Sequence, residues 1–423
     1  MSVLLLSLAL QLNSPHASSP GRESRWDALV GWYELEPGRH ALVTFGASGG
    51  LRLFDFETPS FDQLLPQQGR FDWRRQHDPG PAVIEFQSDA AGKATGFTWS
   101  AGEAAKGVAR RDPPFGYAQA EVRFQSGDAE LCGLLMLPLD GERHPGVVIV
   151  QGSGDSDRDN VWAFSIANHL ALAGSAVLLP DKRGSGQSQG DWKAVGFDAL
   201  ALDALAGIEL LAARPEVDAA RVGLVGLSQG GWVAPLAASR SSRVAFCAAV
   251  SAAAVPVREQ VLHEFEQTVR EQSRAPEEVD LALELMQMAF AYGESGSGWE
   301  DYLAGVEGAP SSLSGAFPTQ RDDWRWSWYR RVLDFDALSA WRQLSVPCLI
   351  VYGAEDEHDN VPVAKSVARL ESWIDESRRR DVTIRVYPGS GHALGDPATS
   401  WIRRDFLADL ARWIAANAGA QPR

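Results

Sequence analysis

The sequence predicts an α/β fold, in which a mostly parallel sheet carries helices on both faces, preceded by a small β-rich domain. From about residue 117 onward, short apolar runs of strand type alternate with helix-like segments, as in folds built from β–α–β units. Between about residues 26 and 111, short β-like runs follow one another and are separated by Gly, Pro and Asp turns. We therefore expect a β-rich accessory domain, a small antiparallel sheet or barrel, at residues 25–112 and the α/β domain at residues 116–423.

The order of strands and helices in the α/β domain is interrupted once. Between residues 255 and 345 the alternation gives way to helix-like stretches, Gly/Ser-rich turns and a tryptophan-rich segment, so we expect a helical cap insertion at residues 256–345. A closing amphipathic helix is expected at residues 400–416. The eight strands predicted for the sheet lie near residues 121–124, 131–137, 147–150, 176–179, 222–225, 245–250, 349–352 and 383–387.

Length, composition and charge agree with this division and exclude some partners. A chain of 423 residues is long for one domain, and a hydrophobic content of 45% suffices for large cores. The 39 basic and 55 acidic residues give a net charge of −16 without a dense Lys/Arg cluster, which argues against nucleic acid and anionic membranes as partners. Three cysteines, far apart and in apolar surroundings, favour buried thiols over a disulfide framework.

The N-terminus begins with an apolar run, Val3–Leu10, that has the size of a signal-peptide core and is too short to span a bilayer. No basic residue precedes the run. We expect residues 1–20 to be a signal peptide, and hence an exported protein, with a disordered tail on a cytoplasmic protein as the alternative. No other segment approaches the length of a membrane span.

The pentapeptide Gly226-Leu227-Ser228-Gln229-Gly230 stands between a strand-like run and a segment of small, helix-forming residues. A G-x-S-x-G pattern in this context is typical of a sharp strand-to-helix turn that holds a nucleophilic serine clear of the sheet. Its glycines lack a Cβ, so the strand and the helix can approach closely enough to keep the strained turn. Ser228 is the predicted nucleophile.

A serine hydroxyl is a weak nucleophile at neutral pH, so the turn also predicts a histidine base and a carboxylate later in the chain. Of the eight histidines, only His263, His358 and His392 follow the serine. His263 lies in a helix-like, solvated segment. His392 follows the strand-like run Val382–Tyr387 and a turn, and therefore lies at the C-terminal end of a strand, where open α/β sheets place their chemistry. His392 is the predicted base.

The carboxylate is expected on the loop that leaves the preceding strand. Asp356 stands three residues past Gly353, a spacing that keeps its carboxylate near the strand tip, and it is the first candidate. Asp359 is the second candidate, because it precedes Val361-Pro362 more closely. The rest of the chain offers no matching ligands at a recognisable spacing, so no metal site is expected here.

Acyl transfer places negative charge on the former carbonyl oxygen, which two backbone N–H groups must stabilise. Gln229, the residue after the nucleophile, supplies one. The loop Gln151-Gly152-Ser153-Gly154 follows an earlier strand, and the N–H of Ser153 is the predicted second donor. The adjoining segment 155–160 imitates the start of a calcium loop but lacks the glycine at the sixth position and the closing glutamate, so no calcium is expected.

Three motifs together carry a family resemblance: Gly152-Ser153-Gly154 with Asp157-Arg158-Asp159, the segment 181–188 that begins Asp181-Lys182-Arg183, and Gly226–Gly231. With these motifs the chain resembles bacterial α/β-hydrolases of the carboxylesterase type, from about Tyr117 to the C-terminus apart from the cap. The resemblance implies the α/β-hydrolase fold, ester hydrolysis without a cofactor, and catalytic positions at Ser228, Asp356 and His392. Two departures stand out: Gln151 replaces a histidine that usually precedes the glycines, and the acid loop is about two residues longer.

The cap contains three tryptophans, Trp324, Trp326 and Trp328, which are candidates for lining an acyl pocket. Packing inside the cap is the alternative for them. Asp181-Lys182-Arg183 follows a central strand, and we expect these side chains to satisfy backbone groups and anchor loops rather than to bind phosphate.

Taken together, the residues predict an exported serine hydrolase that acts on small carboxylic esters through an acyl-enzyme intermediate. Two enzyme alternatives use the same triad, an aminopeptidase-like or acyl-peptide hydrolase and an acyl thioesterase. The aminopeptidase alternative requires an anchor for the peptide amine, which acidic residues in the cap could provide, although the sequence identifies no particular one. A binding protein without catalysis is disfavoured, because all three triad residue types occur in the expected order. The sequence does not indicate the oligomeric state.

Overall fold

The computed structural model describes residues 26, 28–37, 39–46, 50–55, 60–75, 80–102, 106–110, 116–272, 276–398 and 401–419. The predicted signal peptide or tail at residues 1–20 lies outside this part of the chain. Within it the predicted fold class is confirmed: an N-terminal β-rich unit precedes a mixed, mostly parallel sheet that is flanked by helices. None of the helices in these ranges is both long enough and apolar enough to cross a membrane.

The β-rich unit is a closed antiparallel barrel in which each strand pairs with the next and the last pairs with the first. Closure removes the free edges that an open sheet of this size would expose. Tyr33, Val43, Leu53 and Phe97 are buried in its interior. Its described strands are β1 (Gly31–Glu36), β2 (Arg39–Phe45), β3 (Leu51–Asp55), β4 (Ser60–Gln67), β5 (Arg70–Arg74), β6 (Val83–Ser88), β7 (Ala94–Ser100) and β8 (Lys106–Arg110).

The second sheet has the spatial order β16-β15-β14-β13-β11-β12-β10-β9. Strands β11 to β16 pair in parallel, whereas β9 and β10 form an antiparallel hairpin that joins the sheet at β12. The strands are β9 (Tyr117–Ser126), β10 (Ala129–Pro138), β11 (His144–Val150), β12 (Ala176–Pro180), β13 (Val217–Leu227), β14 (Cys247–Val250), β15 (Cys348–Gly353) and β16 (Val382–Tyr387).

Helices cover both faces of this sheet because its central strands are apolar on both sides. In β11, Val147 and Ile149 pack on one face, while Val148 and Val150 pack on the other. One face carries α1 (Val161–Leu172) and α11 (Arg404–Asn417), and the other carries α2 (Phe197–Ala212), α3 (Gly230–Ala238) and α10 (Val363–Ser377).

Between β14 and β15 the chain forms a group of helices, which we call the cap. Its helices pack on one another and join the core on the α2 and α3 side of the sheet. They are α4 (Val257–Gln272), α5 (Pro276–Ser295), α6 (Trp299–Gly308), α7 (Ser311–Ser314), α8 (Trp324–Val332) and α9 (Ala337–Trp341).

The barrel packs against the opposite face of the sheet, beside α1. The indole N–H of Trp32 donates to the Tyr117 carbonyl at 3.0 Å, and the Phe54 ring lies 4.7 Å from that of Phe164, centroid to centroid. Arg52 forms an ion pair with Asp159 at 2.9 Å, in the loop that follows β11. The barrel and the cap therefore contact opposite sides of the sheet.

Two element boundaries differ from the predicted ones for identifiable reasons. Strand β13 begins at Val217 rather than near residue 222, because Val217 pairs with His144 across a register shift in β11. The closing helix begins at Arg404 rather than residue 400 because Ile402 forms a β-bridge with Gly395. The segment before α11 is thus held extended beside the loop that carries His392.

A buried ion pair anchors the loop that follows β11. Arg158, 1% exposed, donates from Nη2 to Asp181 Oδ2 at 2.7 Å and from Nη1 to Glu121 at 3.0 Å. Asp181, fully buried at the end of β12, also accepts the backbone N–H groups of Arg158 and Gln187. The structure therefore gives Asp181 the anchoring role that the sequence predicts for this segment.

Replacing Arg158 by methionine should lower the free energy of unfolding by about 3–5 kcal/mol, since it leaves the Asp181 carboxylate buried without its partner. Urea denaturation followed by circular dichroism measures the effect. Arg412→Met is the matched control, because Arg412 is largely exposed and its pairing with Asp409 contributes less than about 1 kcal/mol. Equal losses in the two variants would contradict the anchoring role.

Candidate active site

The candidate nucleophile Ser228 stands where β13 turns into α3, in the left-handed region with φ of 50°. A Cβ at Gly226 would lie 2.2 Å from the Gly230 carbonyl oxygen, and a Cβ at Gly230 would lie 2.0 Å from the Val150 carbonyl oxygen. Only glycine fits at both positions, so the two motif glycines allow the helix to begin directly against the neighbouring strand. The Ser228 N–H donates to the Val250 carbonyl at 2.8 Å, which fixes the turn to β14.

The loop that carries His392 is held against the ends of β14 and β15. A Cβ at Gly353 would lie 2.2 Å from the Ser390 carbonyl oxygen, so this glycine permits close contact between the two loops. The hydroxyl of Ser251 donates to the His392 carbonyl at 2.6 Å. Because Ser251 directly follows β14, which also holds the Ser228 turn, one strand end positions both residues.

His392 and Asp356 form a hydrogen-bonded pair, with 2.9 Å between Nδ1 and Oδ2. Asp356 is fully buried, in a short 3₁₀ turn at residues 354–358 after β15. Burial by itself would lower the pKa of His392, but the charge and hydrogen bond of Asp356 outweigh it, and the pKa lies above its ordinary value. Asp356 thus favours the protonated imidazole, as the acid of a triad must.

The other ring nitrogen of His392, Nε2, is buried and has no hydrogen-bond partner among the described residues. The bond from the Ser228 hydroxyl to this nitrogen is therefore not formed in the structure. Such bonds are often long in unliganded enzymes and shorten when substrate binds. The arrangement leaves Nε2 available as a proton acceptor.

The predicted oxyanion donors meet at the same place. Ser153 and Gln229 line one cavity together with Ser228. Within the described ranges, neither backbone N–H donates a hydrogen bond to another residue. Gln229 stands at the N-terminus of α3, where N–H groups lack intrahelical acceptors and the helix dipole favours negative charge. Both N–H groups are thus available to an anionic oxygen.

A buried lysine holds the two donor segments together. The ammonium group of Lys182 donates to the carbonyls of Gly152 at 2.8 Å and Gly154 at 3.3 Å, and to Gln229 Oε1 at 2.9 Å. Burial lowers the pKa of Lys182 to about 7, although Asp155 partly offsets the effect. The carbonyls on both sides of Ser153 are therefore fixed by the same group that orients the Gln229 side chain.

Gln151, which stands where the resemblance implies a histidine, supports the same loop through its side-chain amide. Its amide nitrogen donates to the carbonyls of Asp157 and Pro180, each at 3.0 Å, and its amide oxygen accepts from the Ser156 hydroxyl at 2.9 Å. These three bonds tie the loop after β11 to itself and to the end of β12. The departure from the family pattern thus leaves the donor loop anchored.

The cavity beside Ser228 lies between the sheet and the cap and comprises about 740 Å³ of atom-free space, part of which is open to solvent. Its walls are mainly apolar and aromatic, which is typical of a small-molecule site. From the sheet side it is lined by Ser153, Gly154, Trp192, Ser228, Gln229, Trp232, Ser251, Ala252, Ala253, Asn360 and Val361, and from the cap by Gln260, Val261, Glu264, Trp324, Arg325, Trp328 and Tyr329.

The three candidate tryptophans of the cap separate into two groups. Trp324 and Trp328, four residues apart on α8, lie on the cavity wall. Trp326 does not line the cavity, which corrects its inclusion among the pocket candidates. Its ring packs against Tyr292 at 4.9 Å, centroid to centroid, and its indole N–H donates to the Gln320 carbonyl at 2.8 Å. It faces the cap interior because it lies on the opposite side of the helix.

Sequence reasoning did not single out two polar residues of helix α4. Gln260 and Glu264, 5% and 6% exposed, line the cavity from the cap, and the Gln260 amide donates to Glu264 Oε2 at 3.1 Å. Their spacing of four residues places them on one helix face. Nothing in the sequence indicated that this face is buried, since charged residues occur along the whole length of α4.

The described residues contain no group of three or more His, Cys, Asp or Glu side chains that could hold a metal ion. In the segment that imitates a calcium loop, Asp159 instead pairs with Arg52, and Asp155 accepts from the Trp192 indole at 2.7 Å. Cys132, Cys247 and Cys348 are buried free thiols.

Comparison with solved structures finds similarity to esterases and other hydrolases. The chain is similar in fold to an esterase from Pyrococcus furiosus, with 16% identity over 72% of this chain and 92% of that one and a TM-score of 0.48. It is similar to the α/β hydrolase GrgF from a Penicillium species, with 19% identity, 72% and 100% coverage and a TM-score of 0.47. A dienelactone hydrolase from Anabaena variabilis matches with 16% identity, 71% and 99% coverage and a TM-score of 0.43.

The match to a protein-family model covers most of the second sheet. The model of the alpha/beta hydrolase family matches residues 147–410, well over half of the chain. The matched range begins in β11 and ends in α11, and it includes Ser228, Asp356 and His392. The chain belongs to the alpha/beta hydrolase family.

Proposed function

We propose that this hydrolase is a serine esterase that cleaves small carboxylic esters through an acyl-enzyme intermediate. One observation carries the proposal. Ser228 in its strained turn and the residues of two unbonded backbone N–H groups, Ser153 and Gln229, line the cavity between sheet and cap, and the His392–Asp356 pair lies on loops fixed to the strand end that also holds the Ser228 turn. This is the set of groups that acyl transfer requires: a nucleophile, an oriented base and an oxyanion site.

In the proposed reaction, the Ser228 oxygen attacks the ester carbonyl carbon while His392 Nε2 accepts the hydroxyl proton. The carbonyl oxygen becomes an oxyanion that accepts from the N–H groups of Ser153 and Gln229. Collapse of the tetrahedral intermediate breaks the bond to the alcohol oxygen, which takes the proton from His392. Water then attacks the acyl-enzyme by the same steps in the second half of the reaction. Asp356 stabilises the imidazolium throughout.

The cavity supports a small, largely apolar acyl or alcohol group. Its walls are mainly apolar and aromatic, with a few polar groups beside Ser228, as is usual for small-molecule sites. The buried Lys182 supports the oxyanion site, because it rigidly holds the loop on which Ser153 lies. The apolar run Val3–Leu10 supports the further proposal that the protein is exported.

Alternatives with the same triad differ in the leaving group. An aminopeptidase-like or acyl-peptide hydrolase expels an amine, and an acyl thioesterase expels a thiol, after the same attack by the serine. Substrate profiling therefore decides among them. Wild-type enzyme is assayed on p-nitrophenyl esters, amino-acid p-nitroanilides and acyl thioesters, and the ester proposal requires the highest kcat/KM on the esters.

The nucleophile is tested by Ser228→Ala. Because the triad acts as a unit, we expect kcat on the preferred ester to fall by roughly 10⁴ or more while the circular dichroism spectrum is unchanged. A fluorophosphonate probe should label the wild type at Ser228 and leave the variant unlabelled. Retained turnover or substantial labelling of the alanine variant would end the assignment.

The acid is tested by comparing Asp356→Asn with Asp359→Asn. The first should reduce kcat by orders of magnitude, since the amide no longer stabilises the imidazolium or fixes its tautomer, and the second should cost far less. The dependence of kcat/KM on pH provides a second test of the acid. His392 must be neutral to act as base, so activity is lost as pH falls through its raised pKa, and Asp356→Asn should move that acidic limb to lower pH. The reverse ranking of the variants would assign the acid to Asp359.

The cavity wall is tested by Trp328→Ala and Trp326→Ala. Removing Trp328 should change kcat/KM unevenly along a series of acyl-chain lengths, since each lost methylene contact is worth about 1 kcal/mol. Removing Trp326 should lower the free energy of unfolding by about 3–5 kcal/mol and leave the chain-length profile intact. A wild-type profile in a folded Trp328→Ala variant would show that this ring does not contact the acyl chain.

A further inference from the structure

Glu264 is a buried carboxyl group in the wall of the cavity that contains Ser228. It lies on α4 of the cap and is 6% exposed. One carboxylate oxygen, Oε2, accepts from the Gln260 amide at 3.1 Å, and that amide is fixed in turn by Asn360. The other oxygen, Oε1, is buried and has no hydrogen-bond partner among the described residues. The proposed mechanism assigns no task to this group.

An unpaired buried carboxylate oxygen is unfavourable, because folding removes its bonds to water without replacing them. The cost shows in the pKa of Glu264, which burial raises to about 7 although the Gln260 hydrogen bond acts in the opposite direction. A carboxyl group that served packing alone would be better replaced by a neutral side chain of similar shape. The free oxygen therefore indicates a partner that arrives with the substrate.

The cations of the described residues around the cavity are engaged elsewhere. The Arg325 guanidinium donates from Nε and Nη2 to the Asp323 carboxylate, at 2.9 and 2.8 Å, and is neutralised by it. Lys182 is occupied by the oxyanion loop and Gln229. His392, whose charge would favour ionised Glu264, is bonded to Asp356 instead.

The remaining charges facing Glu264 are negative. Asp356 and Asp359 both raise its pKa by repulsion. The cavity wall near the cap thus has an excess of negative charge that a positively charged ligand would neutralise. The net charge of −16 on the chain acts in the same direction at longer range, since it attracts cations toward the protein.

Aromatic rings in the same cavity also suit a cation. Trp192, Trp324, Trp328 and Tyr329 line it together with Glu264. Lys182 lies 4.7 Å from the Trp192 ring centroid and Lys193 lies 5.6 Å from that of Trp324, so Trp328 and Tyr329 are the lining rings that no cation of the described residues covers. Ring faces attract ammonium groups, and they do so more strongly where water is excluded. A neutral hydroxyl would satisfy the free oxygen but would gain neither the charge interaction nor the contact with the ring faces.

We propose that the cavity binds a substrate that carries a protonated amine, whose ammonium group donates to Glu264 Oε1 and lies against the aromatic wall. The identity of the cleaved bond, an ester, rests on the function proposed above, whereas the binding of the amine does not depend on that function. An amino-substituted ester therefore becomes the preferred substrate class, and Glu264 is the residue that selects it.

Binding is tested on the Ser228→Ala protein, which needs no turnover. The probes are n-hexylammonium and 1-hexanol, which have the same chain length and differ in charge, with affinities measured by calorimetry at pH 8. We expect hexylammonium to bind at least tenfold more tightly. Adding Glu264→Gln should abolish that preference, while Glu271→Gln, which removes the same charge from an exposed position of α4, should preserve it.

Equal affinities of hexylammonium and hexanol for the Ser228→Ala protein would overturn the proposal. A preference for hexylammonium that persists after Glu264→Gln is added would also overturn it. Glu264→Asp serves as a second variant if the glutamine variant does not fold. It keeps the charge but withdraws the oxygen, so it should show an intermediate preference. A preference as large as that of the parent protein in this variant would contradict contact with Oε1.

Turnover separates this proposal from the proposed function. Wild-type enzyme and the Glu264→Gln variant are compared on p-nitrophenyl hexanoate and p-nitrophenyl 6-aminohexanoate, and the ratio of kcat/KM for the amino ester to that for the neutral ester should fall at least tenfold in the variant. Hydrolysis of both esters with an unchanged ratio would refute the role of Glu264 alone. Glu264-dependent binding of hexylammonium without hydrolysis of either ester would refute the esterase function alone.

Discussion

The close approach of α3 to strands β11 and β13 is the constraint on which the site depends. Gly226 and Gly230 leave no room for a Cβ, and the chain between them is forced through the left-handed region at Ser228. The strain is held because β13 is paired on both sides in the centre of the sheet. The same geometry places Ser228 and the following Gln229 in the cavity wall.

Buried cations then fix the loops that this turn cannot hold by itself. Arg158 ties the loop after β11 to the end of β12 through Asp181, and Lys182, the next residue, ties the same loop to Gln229. Each would be costly to bury alone, and each is stabilised by several acceptors. The adjacent residues Asp181 and Lys182 thus connect the loop after β11 and the turn after β13, which together form the proposed oxyanion site.

Much of the fold and the core of the candidate site could be predicted from the sequence because they depend on local pattern and chain order. The motif identifies Ser228, and the order of strands directs attention to His392 and to the loop of Asp356. The positions of the cap tryptophans could be predicted only in part. Helical spacing puts Trp324 and Trp328 on one face of the helix, but packing between helices decides which face lines the cavity. Glu264 could not be found, since its burial results from the docking of α4 over the sheet.

The proposed roles of Glu264 in the cap and of His392 beside the sheet imply that substrate recognition and base catalysis are electrostatically coupled. The charge of Glu264 contributes to the raised pKa of His392, after the larger effects of burial and of Asp356. A bound ammonium group would neutralise Glu264, and this would lower the pKa of His392 and increase the fraction of neutral imidazole near pH 7. Since only the neutral ring accepts the serine proton, a cationic substrate would make its own general base more available. A neutral ester would leave Glu264 unpaired and gain no such effect, so under this proposal the cap would discriminate between substrates in kcat as well as in KM.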